Sequence, residues 1–132
     1  MAAADRPVDK PRPVYLNLLA IRQPMPAVVS ILHRLSGALL FVVGIPLVLW
    51  FVQASLASAE GFAAAMGPLA TPLGKLVLLA LAWSYIHHVL AGLRHLLLDL
   101  HIGIDLAPAR GSAAAVLVLS VLLTLIIAVR LW

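Results

Sequence analysis

The sequence predicts an all-α integral membrane protein with three transmembrane helices in an up-down bundle. Three observations carry that prediction. Hydrophobic residues make up 64% of the chain and charged residues only 11%, and the mean hydropathy of +1.10 lies far outside the soluble range. The apolar residues fall into three long runs, each able to supply the roughly twenty residues that cross a hydrocarbon core. The few charges sit at the ends of those runs, where they act as orientation signals. The formal net charge of +4 therefore does not point to nucleic acid, because no basic amphipathic or aromatic face accompanies it.

In chain order, residues 1–27 read as a cytoplasmic N-terminal tail and interfacial segment, and 28–132 as the three-helix anchor domain. Pro7, Pro11 and Pro13 block regular helix in the tail. The tail has neither the apolar core of a signal peptide nor the Ser-rich, acid-free character of an organelle presequence, which favours a bacterial inner membrane. Val14 to Ile21 is apolar but too short to span.

Pro24 and Pro26 launch a first helix from about Val28 to about Leu56. Pro46 should kink it slightly. Ser30, Gly37 and Gly44 recur every seven residues and give it one small-residue face for close helix contact. Ser55 to Thr71 reads as a loop. A second helix follows from about Pro72 to about Leu100, then a turn from Asp99 to Gly111 with Gly103 and Pro108. The third helix runs from about Ser112 to Leu131 and ends in Arg130 and Trp132, both suited to an interface. Its interior holds no ionisable residue and reads as scaffold.

Basic residues crowd the N-terminal segment (Arg6, Lys10, Arg12, Arg22, Arg34) and bound the second connection (Arg94, Arg110), while the first connection has none before Lys75. The positive-inside rule then places the N-terminus in the cytoplasm and the C-terminus outside.

The chemistry concentrates in the second helix. His88, Gly92, His95 and Asp99 recur at i, i+4, i+7 and i+11, which puts them on one helical face. Ionisable groups at membrane depth are costly and need a partner or a function. Gly92 leaves that face flat beside His88, so a broad, rigid ligand could approach the backbone there. An imidazole for iron, with cations further along for propionates, suits a haem. The chain has no cysteine, so such a haem would be b-type, held without thioether links or an iron–sulfur centre. His87 points about 100° away from His88 and reads as a packing or hydrogen-bonding residue.

Arg94, His95, His33 and Arg34 gather near one membrane face. They serve either lipid headgroups or an anionic ligand. Asp99 is a partner for one of these cations or a solvated helix end. Ser30, one turn from Arg34, is a packing residue or a donor to a carbonyl oxygen. Only His88 lies deep enough for iron, so a six-coordinate haem needs its second ligand from another polypeptide. The chain reads as half of a haem-binding heterodimeric anchor.

Two segments carry a resemblance. Arg12-Pro13-Val14 followed by Ser30-Ile-Leu-His33-Arg34-Leu-Ser36-Gly37, and His88-Val-Leu-Ala-Gly92-Leu-Arg94-His95-Leu-Leu-Leu-Asp99, resemble the two signatures of the cytochrome b subunits of succinate dehydrogenase. They stand in the right order on a three-helix chain, and the resemblance covers nearly everything after residue 11. Leu98 departs from the aromatic or Met usual before the Asp, a matter of packing. The resemblance implies a haem b shared with a second membrane anchor subunit. It also implies docking of flavoprotein and iron–sulfur subunits on the cytoplasmic face, and reduction of ubiquinone where the anchors meet the iron–sulfur subunit. On this chain it implies His88 as axial ligand, with His33, Arg34 and His95 facing the propionates and Ser30 and Arg34 lining the quinone site. The chain itself would hold no succinate site. The alternatives are a quinol:fumarate reductase anchor and a cofactor-free three-helix scaffold.

Overall fold

The computed structural model describes residues 20–132. The N-terminal tail, most of the Val14 to Ile21 stretch and the Arg12-Pro13-Val14 motif lie outside the described residues. Pro24 caps helix α1 (Met25–Leu39), and Pro26 falls in its first turn, where a missing N–H breaks no helical bond. α1 runs on through a π turn (Leu40–Gly44) into α2 (Ile45–Ala57), making one apolar rod of 33 residues. Where a slight kink was expected at Pro46, the backbone opens a wide turn just upstream. Pro46 has no N–H for the carbonyl of Val42, and its ring crowds that oxygen. The turn widens and closes through the N–H of Ile45 onto the carbonyl of Leu40.

The expected loop from Ser55 to Thr71 is mostly a helix, α3 (Ala59–Ala70). Alanine dominates it and favours helix. The Ser58 hydroxyl accepts the Gly61 N–H at 2.9 Å, and Glu60 sits in the first turn, where the helix dipole favours an anion. Phe62 packs edge-on against Phe51 with centroids 5.9 Å apart, folding α3 back onto α2. Thr71 then caps α4 (Pro72–Asp99) by accepting the Gly74 N–H at 3.1 Å. A Cβ on Gly74 would collide with the Pro68 carbonyl oxygen, so this junction requires glycine.

α4 ends in a Schellman arrangement. The N–H of Ile102 reaches the Leu97 carbonyl and that of His101 the Leu98 carbonyl, both at 2.9 Å. His101 takes the left-handed position at φ 61°, usually a glycine's. α5 (Leu106–Leu131) begins at Leu106 rather than near Ser112, because Pro108 falls within its first turn, where proline is tolerated.

The three rods Met25–Ala57, α4 and α5 are each long and apolar enough to cross a membrane, and they run up, down and up. Lys75, at the start of α4, lies 5.1 Å from the Trp132 ring at the end of α5, which puts those two ends at one level. The interior is small and polar. Val29, Ser36, Ser84, His87 and Ser120 are the largest fully buried side chains. Most of the large apolar side chains point outward instead, as expected where lipid rather than water surrounds the helices.

The seven-residue spacing on α1 finds its counterpart on α4. Gly37 lies against His88, and Gly44 lies against Leu81. Seven residues forward on one helix match seven back on the other, so the two run antiparallel in a fixed register. That register puts Ser30 at the level of His95.

Candidate functional site

His88 projects from α4 into the seam with α1. Its Nδ1 lies 3.0 Å from the His33 carbonyl oxygen and 3.3 Å from the Ser36 hydroxyl. A C=O can only accept, so Nδ1 carries the proton and donates. In a neutral imidazole the lone pair is then on Nε2, the nitrogen such histidines offer to a metal. No group of three His, Asp or Glu among the described residues could hold a metal ion by itself. Iron here would need the four nitrogens of a porphyrin.

The His33 ring stacks on that of His88, with centroids 4.2 Å apart and planes 10° from parallel. His95 follows at 5.1 Å from His33, tilted by 56°. These three imidazoles thus form a short column along the α1–α4 seam. Gly92 faces this column: a Cβ there would meet His33 Nε2 at 3.5 Å. The flat place expected beside His88 for a broad ligand is therefore occupied by the His33 ring. Helix spacing within α4 could not reveal this, since the neighbour comes from α1.

Ser30 and Arg34 stand one turn apart on α1, Ser30 half-buried and Arg34 exposed. Neither makes a side-chain hydrogen bond among the described residues, so both keep their donors for a ligand. Arg94 behaves differently. It is 6% exposed, its Nε donates to Ser112 Oγ at 3.0 Å, and a terminal nitrogen donates to the Ala109 carbonyl at 3.2 Å. Arg94 thus ties α4 to the first turns of α5 and does not join His33, Arg34 and His95. Asp99 is exposed at the end of α4 and forms no ion pair among the described residues.

His87 turns about 100° away from His88 around α4, toward α5, where it is fully buried. Its ring stacks on Trp83 at 5.2 Å, and its Nδ1 lies 3.4 Å from Ser120 Oγ on α5. Beyond His88 the α1–α4 seam opens into an apolar groove of about 490 Å³, lined by Leu40, Gly44, Val48, Leu81 and Tyr85 among others. His88 has one ring nitrogen not engaged by the His33 carbonyl, and the groove in the same seam is apolar; both features suit one partner chain of a b-type haem.

Fold and site together define a class: a three-span membrane protein with a cluster of imidazoles, His33, His88 and His95, in the seam between its first two spans. A family model described as "Succinate dehydrogenase/Fumarate reductase transmembrane subunit" matches residues 8–127. The chain is 36% identical over 115 residues to the succinate dehydrogenase cytochrome b556 subunit of Paracoccus denitrificans, covering 87% of this chain and 88% of that one. It is 34% identical over 123 residues to the subunit of the same name from Coxiella burnetii, covering 92% and 97%. The Rickettsia prowazekii subunit of that name is 28% identical over 116 residues, covering 88% and 90%. This chain belongs to the succinate dehydrogenase/fumarate reductase transmembrane subunit family.

Proposed function

We propose that the chain is the haem b-binding membrane anchor of a succinate dehydrogenase, passing electrons from succinate oxidation to ubiquinone. The observation that carries this reading is the donation from His88 Nδ1 to the His33 carbonyl at 3.0 Å, which reserves Nε2 for iron. The related subunits' name, cytochrome b556, supports a b-type haem and the succinate-oxidising direction.

In this reading His88 is one axial ligand and a second membrane anchor subunit supplies the other. His33, Arg34 and His95 balance the propionate charges. A haem so bound supplies a one-electron store at membrane depth. Ser30 donates a hydrogen bond to one carbonyl of ubiquinone, and Arg34 steadies the oxygen as it gains negative charge. The three spans, from Met25 onward, form the anchor domain on which the iron–sulfur and flavoprotein subunits dock.

Purification of the tagged full-length chain from its own membranes tests this reading. The expected material contains a flavoprotein, an iron–sulfur protein and a second small anchor, with a Soret band and succinate:quinone activity. Recovery of the chain alone and colourless would favour the cofactor-free scaffold. Quinol:fumarate activity greatly exceeding succinate oxidation would favour the reductase alternative.

Orientation follows from the charges. Arg22, Arg34, Arg94 and Arg110 mark the histidine end, against Lys75 and Arg130 at the other, so the histidine end faces the cytoplasm in the bacterial inner membrane. A reporter inserted at Gly67, where an added Cβ meets nothing within 4 Å, should read as periplasmic, and one at Gly103 as cytoplasmic. The opposite pattern reverses the model.

A further inference from the structure

We infer that Ser36 and Gly37 are positioning residues for the His88 imidazole, setting its proton on Nδ1 and the seat of its ring; this rests on the haem reading above. Ser36 is 1% exposed, so it meets neither lipid nor quinone. Its hydroxyl donates to the His33 carbonyl at 2.9 Å while its oxygen lies 3.3 Å from His88 Nδ1. A hydroxyl has a single proton. With that proton on the His33 carbonyl, Ser36 turns a lone pair toward Nδ1. Both of the polar atoms beside Nδ1 are then acceptors, and the nitrogen between them must carry hydrogen. The tautomer is fixed twice over.

A serine that merely packs in a helix also donates to a carbonyl three or four residues back. The imidazole at its remaining lone pair is what sets Ser36 apart from Ser84, whose hydroxyl, among the described residues, bonds the Ala80 carbonyl alone, at 2.8 Å.

Gly37 controls the ring's position. A Cβ built there would lie 2.8 Å from His88 Cε1 and 3.2 Å from Nδ1. The first distance is well inside ordinary contact, and the atom struck belongs to a rigid ring held at Nδ1. An alanine must therefore push the imidazole away from the His33 carbonyl. The small-residue face of α1 does more than let two helices approach: at this position it seats a ligand.

Acceptors on Nδ1–H make the imidazole a stronger donor at Nε2 and favour ferric over ferrous iron. Ser36→Ala removes one acceptor and leaves the His33 carbonyl. In the assembled complex we expect its haem midpoint potential to rise. Haem loss to apomyoglobin should quicken about tenfold, the lower end for outer-shell partners of a ligand. Ser36→Thr keeps the hydroxyl and should restore both. Gly37→Ala should shift the low-spin haem resonance, because the ring moves. A midpoint and loss rate unchanged in Ser36→Ala would overturn the role of Ser36, as would a Thr variant that behaves like Ala. An unshifted resonance in Gly37→Ala would overturn that of Gly37. His88→Leu in the same series separates the two levels. If it keeps its spectrum, the haem reading itself fails; if it bleaches while the Ser36 and Gly37 variants stay normal, only the positioning role fails.

Discussion

Replacing His88 with Leu is expected to abolish or severely distort the reduced α-band of the haem, while His87→Leu leaves it nearly intact. The two residues are neighbours in sequence, yet they point about 100° apart around α4, His88 to His33 and Ser36 and His87 to Ser120. His88 has its Nδ1 on the His33 carbonyl at 3.0 Å; in the proposed reading its Nε2 would hold iron, so its loss would remove a direct ligand. The expected drop in haem retention exceeds the roughly 10–100-fold typical of outer-shell substitutions. His87 is buried between Trp83 and Ser120, and its Nε2 has no hydrogen-bond partner among the described residues. Leu at that position fills similar volume and removes the unsatisfied Nε2, at the cost of the Nδ1 contact with Ser120, so stability should fall modestly while the haem spectrum stays. Optical spectra of the two purified variants decide the matter. A bleached His87→Leu beside a normal His88→Leu would show that the faces are assigned the wrong way round.

Ser30→Ala is expected to slow succinate:quinone turnover about ten- to a hundredfold, from the loss of one hydrogen bond worth about 1–3 kcal/mol in the affected step. The haem spectrum should stay normal, and succinate oxidation with an acceptor that draws electrons upstream of the quinone should persist. The structural basis is that Ser30 and Arg34, one turn apart on α1, make no side-chain hydrogen bond among the described residues. Arg34→Leu should cost quinone reduction and also lower the haem midpoint, since removing a cation disfavours the extra electron. The measurement is the ratio of quinone-dependent to artificial-acceptor rates in assembled Ser30→Ala. Equal losses in both assays, or none in either, take Ser30 out of the quinone site.

The three spans were legible in the sequence because lipid imposes a composition and a length that no competing fold shares. The different faces of His87 and His88 were legible too, since one residue turns a helix by about 100°. α3 was not. Ser55 to Thr71 read as a loop, yet Gly61 serves the Ser58 cap and Pro68 sits in the last turn of a helix. The start of α5 was missed for a similar reason at Pro108. At the site, the seven-residue spacing of Ser30, Gly37 and Gly44 announced a contact face but not its partner. Which residue meets which across two helices depends on their register, and spacing within either helix does not contain it. For that reason the His33–His88 stack, the seat at Gly37 and the attachment of Arg94 to α5 emerged only from the folded chain.

The wide turn at Leu40–Gly44 also bears on how this helix tolerates changes in length. A turn closed from residue i to i+5 houses one residue more than a turn closed from i to i+4. Deleting a single residue elsewhere in α1 or α2 would swing everything beyond it by about 100°, turning Gly44 away from Leu81 or His33 away from His88. Removing Phe41 or Val42, both exposed, would take the surplus residue out of the turn and leave a proline kink at Pro46, while the flanking segments keep their facing. The π turn is thus a spare link: the one place in this rod where the chain can shorten without disturbing what either end touches.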